Sequence, residues 1–386
     1  MTDTATPTRK NPSRSKDKVP DSGGAFEYVF PAIRGMQAGR EFFVTMCPLR
    51  LIPRLFMFDE EELLPELRAQ RTLNKARVPE IARYIIDNPK GYVFSALTAS
   101  VDAQVRFRAT GSDGTQERMG TLTIPMSARF VINDGQHRRA AIEQALRENS
   151  EIGDESIAVV SFLDVGLERC QQMFADLNRY AIRPAKSLGV LYDHREAMAA
   201  LVRLVVFQSP FFHDVVEMES SNLAPRSRKL FTLSALYTAT KALLEGLDDE
   251  SVERKVDLSA RYWETAALQF PEWAQVRERQ VTAGEVRRDF IHSHGIALHS
   301  LGRVGNTLIQ QHPDQTNWKK QLEKLSKLDW SRSNAQQWEG RALVGGKVSK
   351  SRQNVILTTN VLRQVLGQPL SPEEQRAEDA CSRGET

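Results

Sequence analysis

The chain has 386 residues, 41% of them hydrophobic and 26% charged. That is room for two domains with real cores and excludes wholesale disorder. Lys plus Arg number 52 against 49 Asp plus Glu, so the net charge of +3 says nothing about nucleic acid, and any basic surface must come from local clustering.

Residues 1–24 are rich in Thr, Ser, Pro, Lys and Asp and predict a disordered tail. Met1–Pro20 contains no apolar stretch of the kind a secretory signal needs. From Phe26 the texture is mixed. Phe26–Phe30 and Glu41–Thr45 predict strands around a turn at Gly35 and Gly39. Val78, Ile81, Ala82, Ile85 and Ile86 recur at helical spacing. Tyr92–Val105 and Gly120–Ile124 predict extended chain separated by a turn at Gly111–Gly114. Arg129–Asn133 predicts a short strand, Arg138–Arg147 a helix, Ile157–Leu163 a strand and Leu167–Leu177 a helix. Beyond Ser187 the pattern is helical: Leu188–Val206, Leu230–Leu247, Leu258–Phe270 and Phe290–Gln310. The expected organisation is an α/β domain over 25–190, a mostly α-helical domain over 191–370 and a disordered tail over 371–386.

The densest chemistry lies where the strand at 130–133 turns into the helix at 138. Gly135 permits a positive φ, and Asn133 or Asp134 can act as an N-cap acceptor. The first turn of the new helix offers bare N–H groups and partial positive charge, which attract anions. His137, Arg138 and Arg139 stand on or beside that turn, and arginine can fork two donors onto a phosphate. The sequence therefore predicts a phosphate site built from Asp134, Gly135, Gln136, His137, Arg138 and Arg139.

Basic residues cluster elsewhere as well. Arg68, Arg71 and Lys75 share a helical face, with Arg77 and Arg83 following. Arg179, Arg183 and Lys186 follow Asn178. Arg226, Arg228 and Lys229 form a short run, and Arg341, Lys347, Lys350 and Arg352 surround a Gly345-Gly346 pair expected to be mobile. No spacing compels a helix-turn-helix. His292, His294 and His299 fall within one expected helix at a spacing that gives no metal site. The P-loop, His-Glu-x-x-His and Gly-x-Gly-x-x-Gly patterns are absent. Cys47, Cys170 and Cys381 are far apart and fit a reducing cytoplasm. No apolar run reaches the ~18 residues of a membrane span. No cofactor is expected.

Asp134-Gly135-Gln136-His137-Arg138 matches the signature of the DGQHR-domain proteins, which include the DndB family of the DNA phosphorothioate-modification systems. Gln70-Arg71, Asn74, Arg77-Val78, Ile81, Tyr84-Ile85 and Tyr92-Val93-Phe94 upstream resemble that family too. So do Phe174–Asn178, Pro184 and Ser187-Leu188 downstream. The resemblance covers about residues 26–190; the helical remainder is similar in length and texture. It implies a ParB/sulfiredoxin-like α/β domain in which Gly-x-x-Arg contacts phosphate. It also implies that Asp176 and Asn178 line the same site; Arg71, Arg77 and Arg183, from the basic clusters, are expected phosphate or DNA contacts. The implied role is a cytoplasmic DNA-binding regulator, mainly a repressor, of the sulfur-modification operon. Its partners would be double-stranded promoter DNA, the modification enzymes and a second copy of the chain in a homodimer. The competing reading is a ParB-like nucleotide-hydrolysing or nuclease-type enzyme with Asp134 and His137 catalytic.

Overall fold

The computed structural model describes residues 26–56, 76–163, 169, 172–173, 175–177, 184–312 and 317–383. The chain divides into two compact units, residues 1–182 and 183–386. The first is mixed α/β around a seven-stranded sheet, and the second is mostly helical.

The strands are β1 (Glu27–Gln37), β2 (Arg40–Pro48), β3 (Leu97–Asp102), β4 (Arg106–Ala109), β5 (Met119–Pro125), β6 (Arg129–Asp134) and β7 (Ser156–Phe162), in the order β4-β5-β1-β2-β7-β3-β6. The expected hairpin at the start forms, with Ala38 and Gly39 both at positive φ in its two-residue turn. Within this sheet, among the described residues, only β3 and β7 pair in parallel. That pairing carries β6 to the sheet edge, antiparallel to β3, with Asp102 opposite Arg129 and Thr98 opposite Asp134. One sheet face holds the core: Phe30, Phe43, Leu97, Ala99, Leu122, Ile132 and Val159 are all buried. Ile85 from the helix Arg77–Asp87 and Ile142 and Ala145 from the helix Gln136–Glu148 join it. Of the helix expected over 167–177, the described residues 169, 172–173 and 175–177 are helical.

The second unit is organised around the helix Gly295–Gln311, which packs on the helices Leu233–Leu243 and Arg352–Leu366. Trp263, Trp273, Trp318 and Trp338 are buried in its core. Three sequence expectations need correction here. The single helix expected over 188–206 is two, Lys186–Tyr192 and Ala197–Gln208. They are split where the Asp193 carboxylate accepts from the amides of Arg195 and Glu196. The Gly345-Gly346 pair is no loose segment. It forms the turn of a small hairpin, Leu343–Val344 with Lys347–Val348, and both glycine amides donate to the Glu339 carboxylate.

The expected tail at 371–386 is, over Pro372–Ser382, a capped helix. Ser371 and Glu374 form a reciprocal capping box, so two end amides find partners locally. Glu374 is 2% exposed and takes Arg303 Nη2 at 3.0 Å and Arg363 Nε at 3.1 Å. Arg341 holds Glu378 from Nη1 at 2.9 Å. These pairs tie a polar helix down where composition alone gave it no core. No helix among the described residues is long and apolar enough to cross a membrane.

Candidate functional site

At the end of β6 the chain reverses through Gly135, at φ 108° and ψ 17°, and enters the helix Gln136–Glu148. A β-carbon there would meet Leu97 Cδ2 at 2.3 Å, and its backbone would sit where L side chains are strained. Gly135→Ala is therefore expected to destabilise the first unit by about 2 kcal/mol or more. Denaturant unfolding measures it; an unchanged midpoint would show that the corner relaxes freely. Asn133, fully buried, donates Nδ2 to Ser100 Oγ at 2.8 Å, and Gln136 Nε2 reaches Ile132 O at 3.4 Å. The polar residues around the turn thus lock β6 to β3 and the helix to β6. No side chain caps the helix start.

The arginines behave differently from the sequence expectation. Arg138 turns inward: Nη1 donates to Ser95 O at 2.7 Å and Ala96 O at 2.8 Å, and Nη2 to Asp134 Oδ2 at 2.6 Å. Its side chain is 16% exposed. Its guanidinium lies over Gly135, with Cζ and Nε 3.4 Å from where a β-carbon would stand. Arg139 donates from Nε to Phe56 O at 2.8 Å and pairs through Nη1 with Glu143 at 2.6 Å. Burial pushes its pKa down, while Glu143 pulls it back up. Both guanidinium groups serve chain carbonyls and carboxylates within the protein, and the Asp134 carboxylate is held in the same bracket. A fork of donors thereby serves the carbonyls of Ser95 and Ala96 just ahead of β3.

His137 and Arg77 remain the outward part of the corner. Arg77 is exposed at the start of its helix. Burial, and then the Arg77 charge, hold the His137 pKa below its ordinary value, so the imidazole is neutral at pH 7. Asp176 is exposed and accepts from Gln172 Nε2 at 2.7 Å. Arg71, Asn178 and Arg183 lie outside the described residues. Among the described residues no group of three or more His, Cys, Asp or Glu is placed to hold a metal. His292 and His294 precede the helix Gly295–Gln311 instead of lying on it. His292 is 1% exposed, accepts from Trp273 Nε1 at 2.9 Å, and is ringed by Phe270, Phe290 and Trp330.

A basic concavity that the sequence only half revealed lies in the second unit. Arg226, Arg228 and Lys229 line it together with Arg277 and Arg279, around about 720 Å³, with Asp214 as its one carboxylate. The run at 226–229 was visible in the sequence. Its meeting with 277–279 was not, because the two segments are joined only through the fold. Arg287 makes the meeting by donating Nη1 to Lys229 O at 2.6 Å and Nη2 to Ala224 O at 2.8 Å. Lys229 Nζ is turned to Asp214 O at 2.9 Å.

No curated protein and no solved structure matches the chain. The family model for DndB, described as DNA-sulfur modification-associated, matches residues 30–369. That span runs through the corner, both sheet edges and the basic concavity. The chain belongs to the DndB family and so to the proteins associated with DNA sulfur modification.

Proposed function

We propose that this chain is a DNA-binding regulator, mainly a repressor, of a DNA phosphorothioate-modification operon. The observation that carries the reading is the basic concavity. Arg226, Arg228, Arg277 and Arg279 bring cationic side chains from two distant segments to one surface with a single carboxylate among its lining residues. Phosphate-backbone binding needs that concentration of charge. Arg77 and His137 add a second contact in the first unit, Arg77 as a charge and His137 as a neutral N–H donor. Arg71, Asn178 and Arg183, outside the described residues, are proposed as further DNA contacts. The pairing of Asp134 with Arg138 favours a bracing role over a catalytic one.

The test is a shift assay on the DNA upstream of the operon. With about five phosphates neutralised, affinity should fall several hundredfold between 50 and 200 mM salt. The double variant Arg228→Glu, Arg279→Glu should weaken binding by at least roughly a hundredfold while leaving the thermal midpoint in place. Retention of DNA by the double variant, or no retention by the native chain at low salt, would sink the reading.

A further inference from the structure

A second cavity in the helical unit, of about 610 Å³, is lined by Lys186, Lys350, Arg303, Arg352 and His299. Glu373 is its one carboxylate, and that is spent on Arg352 at 2.8 Å on the exposed rim. Arg303 is tied back to Glu374. Lys186 and Lys350 have no hydrogen bond or ion pair with any described residue. Partial burial, and then the nearby Lys186 charge, push the Lys350 pKa down. Lys350 Nζ lies only 2.8 Å from where a β-carbon on Gly295 would stand. The ammonium therefore sits against the first turn of the seventeen-residue helix Gly295–Gln311, at its positive end. No side chain caps that turn; His294 is turned to Arg287 O at 2.7 Å instead.

Two lysines and a helix start are thus packed together with no countercharge. Each repels the others, and an anion entering the cavity would relieve that repulsion. The remaining wall says what kind of anion. Ser221, Ser234, Thr232 and Thr238 line one side with hydroxyls. Buried Ser187 fixes two of them: its amide donates to Ser221 Oγ at 3.0 Å and its hydroxyl to Ser234 Oγ at 3.2 Å. Ala235, Ile296, Val355 and Ile356 form an apolar side. The volume falls in the range of small-ligand sites, about 300–1,000 Å³, and the cations that line it at Lys186, Lys350 and Arg352 are open to an entering ligand. Among the described residues no Phe, Tyr or Trp lines it; His299 is its one ring. A dianionic head on lysines, amides and hydroxyls, with a compact body against the apolar side, is the shape of a phosphomonoester.

We propose that this cavity is a binding site for a phosphorylated small molecule, its phosphomonoester held by Lys186, Lys350 and the first turn of the helix Gly295–Gln311. The proposal does not depend on DNA binding, and its test contains none in the first arm. The full-length protein, in a phosphate-free buffer, is titrated with inorganic phosphate, ribose 5-phosphate, AMP and ATP against potassium chloride at matched ionic strength. Thermal midpoint and calorimetric heat are the readouts. At least one phosphomonoester should raise the midpoint at or below about 1 mM, an ordinary ligand affinity, and chloride should not. Lys350→Met and Lys186→Met should each weaken that ligand about tenfold or more, and the double variant should abolish the response. The unliganded midpoint of Lys350→Met should equal or exceed that of the native chain, because a repelled charge has been removed. A response equal in chloride, no response to any phosphomonoester, or one surviving in the double variant would each overturn the proposal. So would a second arm in which a short DNA duplex, and no small phosphate, loses affinity in these variants.

Discussion

Arg138→Ala is expected to unfold the first unit early, with a loss of about 3 kcal/mol and a thermal midpoint lower by roughly 6–12 °C. The guanidinium joins three groups: the carbonyls of Ser95 and Ala96 ahead of β3, and the carboxylate of Asp134 at the end of β6. Truncation leaves the carbonyls without their donor and a carboxylate without its cation, in a place only 16% exposed for the lost side chain. Water can reach exposed Ser95 and the 44% exposed Asp134 carboxylate, so the penalty falls chiefly on Ala96 O and on the lost packing of the arginine stem. Arg138→Lys should rescue little, since a single ammonium cannot span acceptors that a planar fork reaches from two nitrogens. Arg83→Ala, on an exposed position of the neighbouring helix, should leave the midpoint unchanged. A direct phosphate grip predicts the opposite pattern for Arg138→Ala: a native midpoint with DNA affinity gone. Thermal unfolding and a shift assay on the same preparation separate the two.

That contrast also marks how far the sequence could be read. Alternation and helical spacing located β6, the glycine turn and the helix after it, and a glycine between a strand and a helix is what a left-handed hinge requires. The sequence did not show the direction in which the donors of the corner point. Arg138 finds Ser95 and Ala96, some forty residues earlier, because β3 pairs with β6, and strand pairing is not written in local periodicity. The same limit hid the basic concavity: 226–229 stood out as a run, whereas 277–279 acquired meaning only once Arg287 pinned the first segment beside the second. At the C-terminal end the error ran the other way. Ser371-Pro372-Glu373-Glu374 is a readable capping box. The polar texture outweighed it because the arginines that neutralise Glu374 and Glu378 come from other helices.

Acid should destabilise the second unit before any carboxylate titrates. His294 is pushed down to about 4, chiefly by burial, with Arg332, Lys350 and Arg287 adding to the shift. Burial also lowers His292 and His299. The folded protein keeps these imidazoles neutral, whereas the unfolded chain protonates them near the ordinary value of about 6.5. Between those values the unfolded state binds more protons, so stability falls as pH drops below about 6.5 and stops falling once the folded groups themselves protonate. For His294 alone the whole interval is worth about 3 kcal/mol. Glu374 and Glu378 are held below the ordinary carboxylate range, so their contribution is lost only as pH falls below about 4.5 and through their lowered folded values. The window from pH 6.5 to 5 therefore isolates the histidines. Urea unfolding across that window, in phosphate-free buffer so that no anion fills the nearby lysine cavity, should give a midpoint that declines with acid. His294→Gln keeps a donor for Arg287 O and removes the titration, so it should flatten much of the slope. A slope identical in that variant would mean that the imidazole is protonated in the fold, which the ring of cations around it opposes.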